Sequence, residues 1–247
     1  MLLRPQQQLM PPNFPFKTFD LHNDNMPLYT ILKYQQKTSV ANQVTEVYIW
    51  HITECEEQLI NIVGEDCLKV IHEIQNVKRR LEWLSTQALL ESIRPGFSIK
   101  YYPNGKPYLL GLCQEKWYLS ISHTGHWLAL AISPFPIGID IEQWSSKPYR
   151  ISSKFLSANE LSLLNESDNP SLYAMNMWTA KEAAFKCFDQ IYTKLISDIN
   201  IAPYPNSSNI LIAQGKADSD IGFVSVLPFP KFAMSICTFD PLLPIIS

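Results

Sequence analysis

Apolar and polar positions follow two different periods along the chain, and the switches between them mark its elements. Residues 44–53 (VTEVYIWHIT) are rich in β-branched and aromatic side chains and predict a strand. A short helix is expected over 54–63. Ile71, Ile74, Val77, Leu81, Leu84 and Ala88 recur at helical spacing, so 66–92 predicts one or two amphipathic helices, ended by Pro95-Gly96. Residues 97–102 are strand-like, Pro103-Asn104-Gly105 is a turn, and 109–119 predicts a short strand pair. The polar knot Ser122-His123-Thr124-Gly125 precedes an apolar run, 127–132, with the length of a buried strand. Pro134 and Pro136 break that run, and 137–142 forms a further strand. Ser157 and Glu160 have capping-box spacing, with Leu156 and Leu161 placed as a hydrophobic staple. Asn169 caps and Pro170 opens a long helix. Strands are expected again at 210–212, 222–227 and 232–238. Residues 1–25 are rich in Gln, Pro and Asn and show no period, so they read as disordered or as upstream of a true start at Met26.

The chemistry concentrates in the second half. In Gly138-Ile139-Asp140-Ile141-Glu142, alternation puts both isoleucines on one face and both carboxylates on the other, about 7 Å apart at their roots. Two such charges repel unless a cation sits between them, and hard divalent ions prefer oxygen ligands. A third carboxylate, Glu182, lies in the helical stretch 178–186 (WTAKEAAFK). Lys186 shares its face four residues on, so the pair also fits an ordinary ion pair on a solvated face. Lys181 points about 100° away from Glu182, and is expected to face solvent or a protein substrate. Ser122 and His123 suit hydrogen bonds to phosphate. A Ser–His nucleophile pair is a poor reading, because adjacent side chains on extended chain diverge.

Composition narrows the class. A hydrophobic fraction of 46% suffices for a packed core. A net charge of −3 gives no global attraction to nucleic acid, and no phosphate-binding Gly-rich signature is present. The five cysteines are scattered with no C-x-x-C, as expected of reduced thiols in a cytoplasmic protein. There is no apolar run long enough for a membrane helix.

Four motifs in order, Asn104-Gly105-Lys106-Pro107-Tyr108, Ser120-Ile121-Ser122-His123, the Gly138–Glu142 segment and the Trp178–Lys186 segment, resemble the 4′-phosphopantetheinyl transferase superfamily of the surfactin-synthetase-activating (Sfp) type. The resemblance implies an α+β fold built as a pseudo-twofold duplication of two similar α+β subdomains, 26–134 and 135–247, with the active site in the cleft between them. It implies transfer of 4′-phosphopantetheine from coenzyme A to a serine of an acyl or peptidyl carrier protein, with release of 3′,5′-ADP. In that family, Asp140, Glu142 and Glu182 would ligate Mg²⁺; Mn²⁺ also accepts oxygen ligands. Glu182 would be the base, with Lys186 and His123 stabilising charge on the transferred group. Lys106, Pro107, Ser122, His123 and Lys186 would contact coenzyme A, the first group in the N-terminal half.

Of the basic cluster Lys78-Arg79-Arg80, the resemblance assigns Arg79 and Arg80 to the 3′-phosphate. Gln87 stands where the family often has Arg and supplies no charge, which leaves that grip to Arg80. A solvated basic face suits the cluster equally well. The implied enzyme is a cytoplasmic, monomeric pseudo-dimer with no nucleic-acid or membrane partner. Two other readings use the same residues: a Mg²⁺-dependent hydrolase of coenzyme A or a related dinucleotide, and a non-catalytic carrier-binding homologue.

Overall fold

The computed structural model describes residues 22–23, 26–36, 44–188, 198–205, 207, 210–215 and 221–244. In chain order the elements are β1 (His22–Asn23), β2 (Met26–Gln36), β3 (Val44–His51), α1 (Glu56–Val63), α2 (Leu68–Ile71), α3 (Val77–Ile93), β4 (Ser98–Tyr101), β5 (Pro107–Leu110), β6 (Lys116–Thr124), β7 (Trp127–Ser133) and β8 (Ile137–Gln143). Then follow α4 (Lys147–Arg150), α5 (Ala158–Glu166), α6 (Pro170–Cys187), β9 (Asn200–Pro203), β10 (Ile210–Gln214), β11 (Ile221–Pro228), β12 (Phe232–Thr238) and β13 (Leu242–Pro244).

The fold is mixed α+β with two antiparallel sheets. The first has the order β1-β2-β3-β7-β6-β5-β4, and β13 returns from the far end of the chain to pair with β2. The second has the order β8-β12-β11-β10-β9. Three apolar clusters define the layers. Val47, Ile49, Ala129 and Ala131 of the first sheet meet Ile139, Ile141, Met234 and Ile236 of the second, so the sheets pack face to face. Leu84, Ala88 and Leu89 of α3 cover the outer face of the first sheet. Ala180, Ala183 and Ala184 of α6 cover the outer face of the second. β7 is buried at every position, as a central strand in a covered sheet must be.

Local signals account for the element ends. Gly105 takes a positive φ of 84° in the β4–β5 turn, where a side chain would be strained. The Ser157–Glu160 capping box forms, and Asn169 accepts the Leu172 N–H. Three features differ from the sequence reading. Ser122, His123 and Thr124 are the end of strand β6, not a knot beyond it. His22 and Asn23, within the stretch read as unstructured, pair with β2; the rest of 1–25 lies outside the described residues. β2, β9 and β13 are additional to the predicted strands. Among the described residues no helix is long and apolar enough to cross a membrane.

β8 is the edge strand of the second sheet, and an open edge leaves N–H groups unpaired. Here β6 of the first sheet covers that edge with side chains. Ser120 Oγ accepts from Ile139 N (2.9 Å), Ser122 Oγ from Ile141 N (3.3 Å) and Thr124 Oγ1 from Gln143 N (3.1 Å). On the other side of β8, α6 comes so close at Gly138 that an added Cβ would lie 1.9 Å from the Ala183 carbonyl oxygen. The strand bearing two acids is thus held between β6 and α6.

Candidate active site

Ile137, Ile139 and Ile141 are fully buried between the sheets, which turns Asp140 and Glu142 toward α6. Asp140 is buried, and its Oδ1 accepts from Ser122 Oγ (2.8 Å) and from Lys186 Nζ (2.8 Å). Its Oδ2 is buried with no hydrogen-bond partner. Glu142 is half-buried and accepts from Thr124 Oγ1 (3.1 Å), and the neighbouring Trp178 favours its charged form. Lys186 Nζ also donates to the Ile139 carbonyl (2.9 Å), so its ammonium bridges α6 to the free edge of β8.

The three acids feel one another. Burial raises the pKa of Glu142, and the neighbouring Asp140 charge raises it further. Burial likewise raises Glu182, followed by the Asp140 charge; Lys186 opposes this and Glu142 adds to it. Carboxylates from a strand and a helix therefore share one electrostatic field, with the Lys186 ammonium beside Asp140. Among the described residues no three His, Cys, Asp or Glu side chains are gathered into a finished metal cage. The donor set nonetheless suits a hard divalent ion: three carboxylates, a buried unpaired oxygen on Asp140, and mutual repulsion that a cation would relieve.

His123 diverges from Ser122, as adjacent residues on a strand do. Its Nε2 lies 3.0 Å from Thr86 Oγ1 on α3, and that hydroxyl donates its own hydrogen to the Glu82 carbonyl (2.8 Å). The imidazole must then donate to Thr86, which places the ring hydrogen on Nε2. Its pKa is lowered to about 4, first by burial and then by the charges of Lys186 and Lys78, so the ring is neutral near pH 7.

Lys106, in the turn before Pro107, donates from Nζ to the Cys187 carbonyl (3.0 Å) at the C-terminal end of α6. Arg79 is exposed on the first turn of α3. Arg80 is held by Glu56 (3.1 Å) and the Ile74 carbonyl (3.1 Å), which commits the guanidinium expected to compensate for Gln87. Lys181 departs most from the reading of the sequence. It is fully buried, with Nζ 2.6 Å from Glu160 and 2.7 Å from the Phe155 carbonyl. Lys181 does lie on a different flank of α6 from Glu182, but α5 and the turn before it fill that flank, not the solvent or protein substrate expected there. Thr86 has no place in the sequence reading, which gives Glu160 only as a helix cap and Thr124 and Trp178 only as members of motifs. Only Thr124 had a readable signal: Ser120, Ser122 and Thr124 have the period of one strand face.

A family model described as the 4′-phosphopantetheinyl transferase superfamily matches residues 136–237, which include β8, α6 and all three acids. Over this segment the chain is similar to that superfamily. The 4′-phosphopantetheinyl transferase Sfp of Bacillus subtilis (strain 168) is 33% identical over 105 residues, 42% of this chain and 45% of its own length. A second 4′-phosphopantetheinyl transferase from Bacillus subtilis is 34% identical over 93 residues, 37% of this chain and 41% of its own length. The 4′-phosphopantetheinyl transferase gsp of Aneurinibacillus migulanus is 35% identical over 71 residues, 28% of this chain and 30% of its own length. The chain thus spans less than half the length of each of these relatives. The superfamily match agrees with the motifs that carried the resemblance in 138–186.

Proposed function

We propose that this protein transfers 4′-phosphopantetheine from coenzyme A to a serine of an acyl or peptidyl carrier protein. The observation that carries the reading is the shared field of Asp140, Glu142 and Glu182 with Lys186 standing on Asp140, inside the segment matched by the superfamily model. In the reaction the serine Oγ bonds to the β-phosphorus, the bond from that phosphorus to the bridging oxygen breaks, and 3′,5′-ADP leaves with the electron pair.

Asp140, Glu142 and Glu182 are the residues that would hold Mg²⁺ or Mn²⁺, which supplies charge neutralisation at the diphosphate when bound. Glu182 accepts the serine proton; burial and the neighbouring acids raise its proton affinity, as a general base requires. Lys186 provides a fixed positive charge beside the transferred group, since phosphoryl transfer depends mainly on positioning and electrostatics. Lys106, His123 and Arg79 form the coenzyme A phosphate side, and Pro107 fixes the turn that presents Lys106. Burial and two lysine charges keep His123 neutral in the free protein, so an arriving phosphate favours proton uptake there.

In this reading 26–134 is the coenzyme A half and 135–247 the catalytic half, related by pseudo-twofold duplication, with the substrate cleft between them. The protein acts as a cytoplasmic monomer on an acidic carrier.

The test is incubation of apo carrier proteins with coenzyme A and Mg²⁺, read by mass spectrometry of the carrier. A mass gain of one phosphopantetheinyl group is expected. No gain across fatty-acid, polyketide and peptide carriers would overturn the proposal, and free phosphopantetheine released without a carrier would favour a hydrolase. Glu182→Gln is expected to abolish transfer with the fold intact.

A further inference from the structure

The hydroxyls that cover the β8 edge have a second use. A hydroxyl that accepts one N–H keeps its own proton to give. Ser122 accepts from Ile141 N and donates to Asp140 Oδ1; Thr124 accepts from Gln143 N and donates to Glu142 Oε2. The unit repeats with the period of the strand: one β6 hydroxyl, one β8 carboxylate, and the N–H of the residue after that carboxylate. Ser120 occupies the next place in the row and accepts from Ile139 N, but the residue before Ile139 is Gly138, where α6 leaves no room for a side chain. All three hydroxyls are buried.

We infer that Ser122 and Thr124 are positioning residues, which fix the rotamers of Asp140 and Glu142 and present those acids to the cation shared with Glu182. The inference rests on the proposed cation site. In the free protein the Ser122 hydroxyl accepts from Ile141 N and gives its proton to Asp140, so it acts on the Asp140 rotamer. Lys186 holds the same Asp140 Oδ1 from the α6 side, which leaves the unpaired Oδ2 as the oxygen free to face a cation. On α6, the Trp178 indole favours the charged form of Glu142. Each β8 acid is thereby engaged from both neighbouring elements, and a carboxylate so held loses little rotational freedom when it takes an ion. This is the usual service of groups that hydrogen-bond metal ligands.

The experiment is Mn²⁺ binding to the whole protein without coenzyme A, read from the free-ion electron paramagnetic resonance signal, in wild type, Thr124→Val and Thr124→Ser. Valine keeps the shape and removes the donor; serine restores it. Thr124→Val is expected to weaken Mn²⁺ binding about tenfold or more, and Thr124→Ser to bind like wild type. In transfer assays the half-saturating metal concentration should rise in Thr124→Val.

Wild-type affinity in a folded Thr124→Val protein overturns the inference and leaves the transferase reading standing, even if the variant is less stable. Absence of Mn²⁺ binding by wild type overturns both. Should Thr124→Val fail to fold, Ser122→Ala carries the same expectation through Asp140, and unchanged Mn²⁺ binding there overturns the inference too.

Discussion

Replacing Glu160 by glutamine removes one negative charge from the interior and strands the Lys181 ammonium. Both side chains are almost wholly shielded from water, at 0% and 3% exposure, and their charged atoms are 2.6 Å apart. Glu160 is also a junction: Oε2 accepts the Ser157 N–H (2.7 Å) at the α5 cap, and Oε1 accepts the Ile201 N–H (2.8 Å) of β9. An amide has one oxygen, so at least one of those N–H groups loses its acceptor, a cost of about 1–3 kcal/mol. Breaking a buried pair from one side typically costs about 3–5 kcal/mol in all, and Glu160→Gln is expected to lie in that range.

Lys181→Met should cost less, because the remaining carboxylate keeps two backbone donors. The double variant should be more stable than the sum of the single losses predicts, by about 2 kcal/mol. Urea unfolding at pH 7 of the four proteins measures this. Burial already lowers the Lys181 pKa against the pull of Glu160. Without Glu160 the folded state sheds that proton more readily, while the unfolded lysine keeps it up to about pH 10.4. The unfolded state then binds more protons, so the Glu160→Gln deficit shrinks as pH rises toward 9. Additive losses, or a Glu160→Gln deficit below about 1 kcal/mol, would refute the reasoning.

Gly138→Ala puts a methyl carbon 1.9 Å from the Ala183 carbonyl oxygen and 2.6 Å from the Cys187 nitrogen, both backbone atoms of α6. A loss of about 3 kcal/mol by urea unfolding, with transfer impaired because Glu182 and Lys186 move with the helix, is expected. His123, with a folded pKa of about 4, leaves the unfolded chain binding the extra proton between pH 6.5 and 4. Wild-type stability should therefore fall by about 3 kcal/mol on acidification through that window, and His123→Asn should lack this part of the slope. Coenzyme A binding should take up a proton at His123 between pH 5 and 7, measured by calorimetry in buffers of different ionisation enthalpy. Equal heats in all buffers would remove the proton from the binding step.

The row of apolar and polar positions determined a great deal without help. Alternation in 137–142 was enough to send the isoleucines to the core and the acids the other way, because a strand has only two faces. The caps at Ser157 and Asn169 and the turn at Gly105 are local chemistry, and they form as the residues dictate. The spacing in 178–186 placed Glu182 and Lys186 on one face of α6 for the same reason.

The sequence did not disclose what would stand opposite each face. Lys181 read as a surface residue because a helix period specifies direction but not whether water or another element waits there; α5 and β9 made it a buried ion pair. Arg80 read as available for a phosphate until Glu56, twenty-four positions earlier, was found holding it. The Ser122 hydroxyl read as a phosphate donor, and only the packing of one sheet against the edge of the other gave the bonds of the β6 hydroxyls to β8. Period and propensity act over a few residues, whereas a buried group's partners come from segments brought together by burial of the whole core. That step of folding is where an acid, an ammonium or a hydroxyl acquires its role.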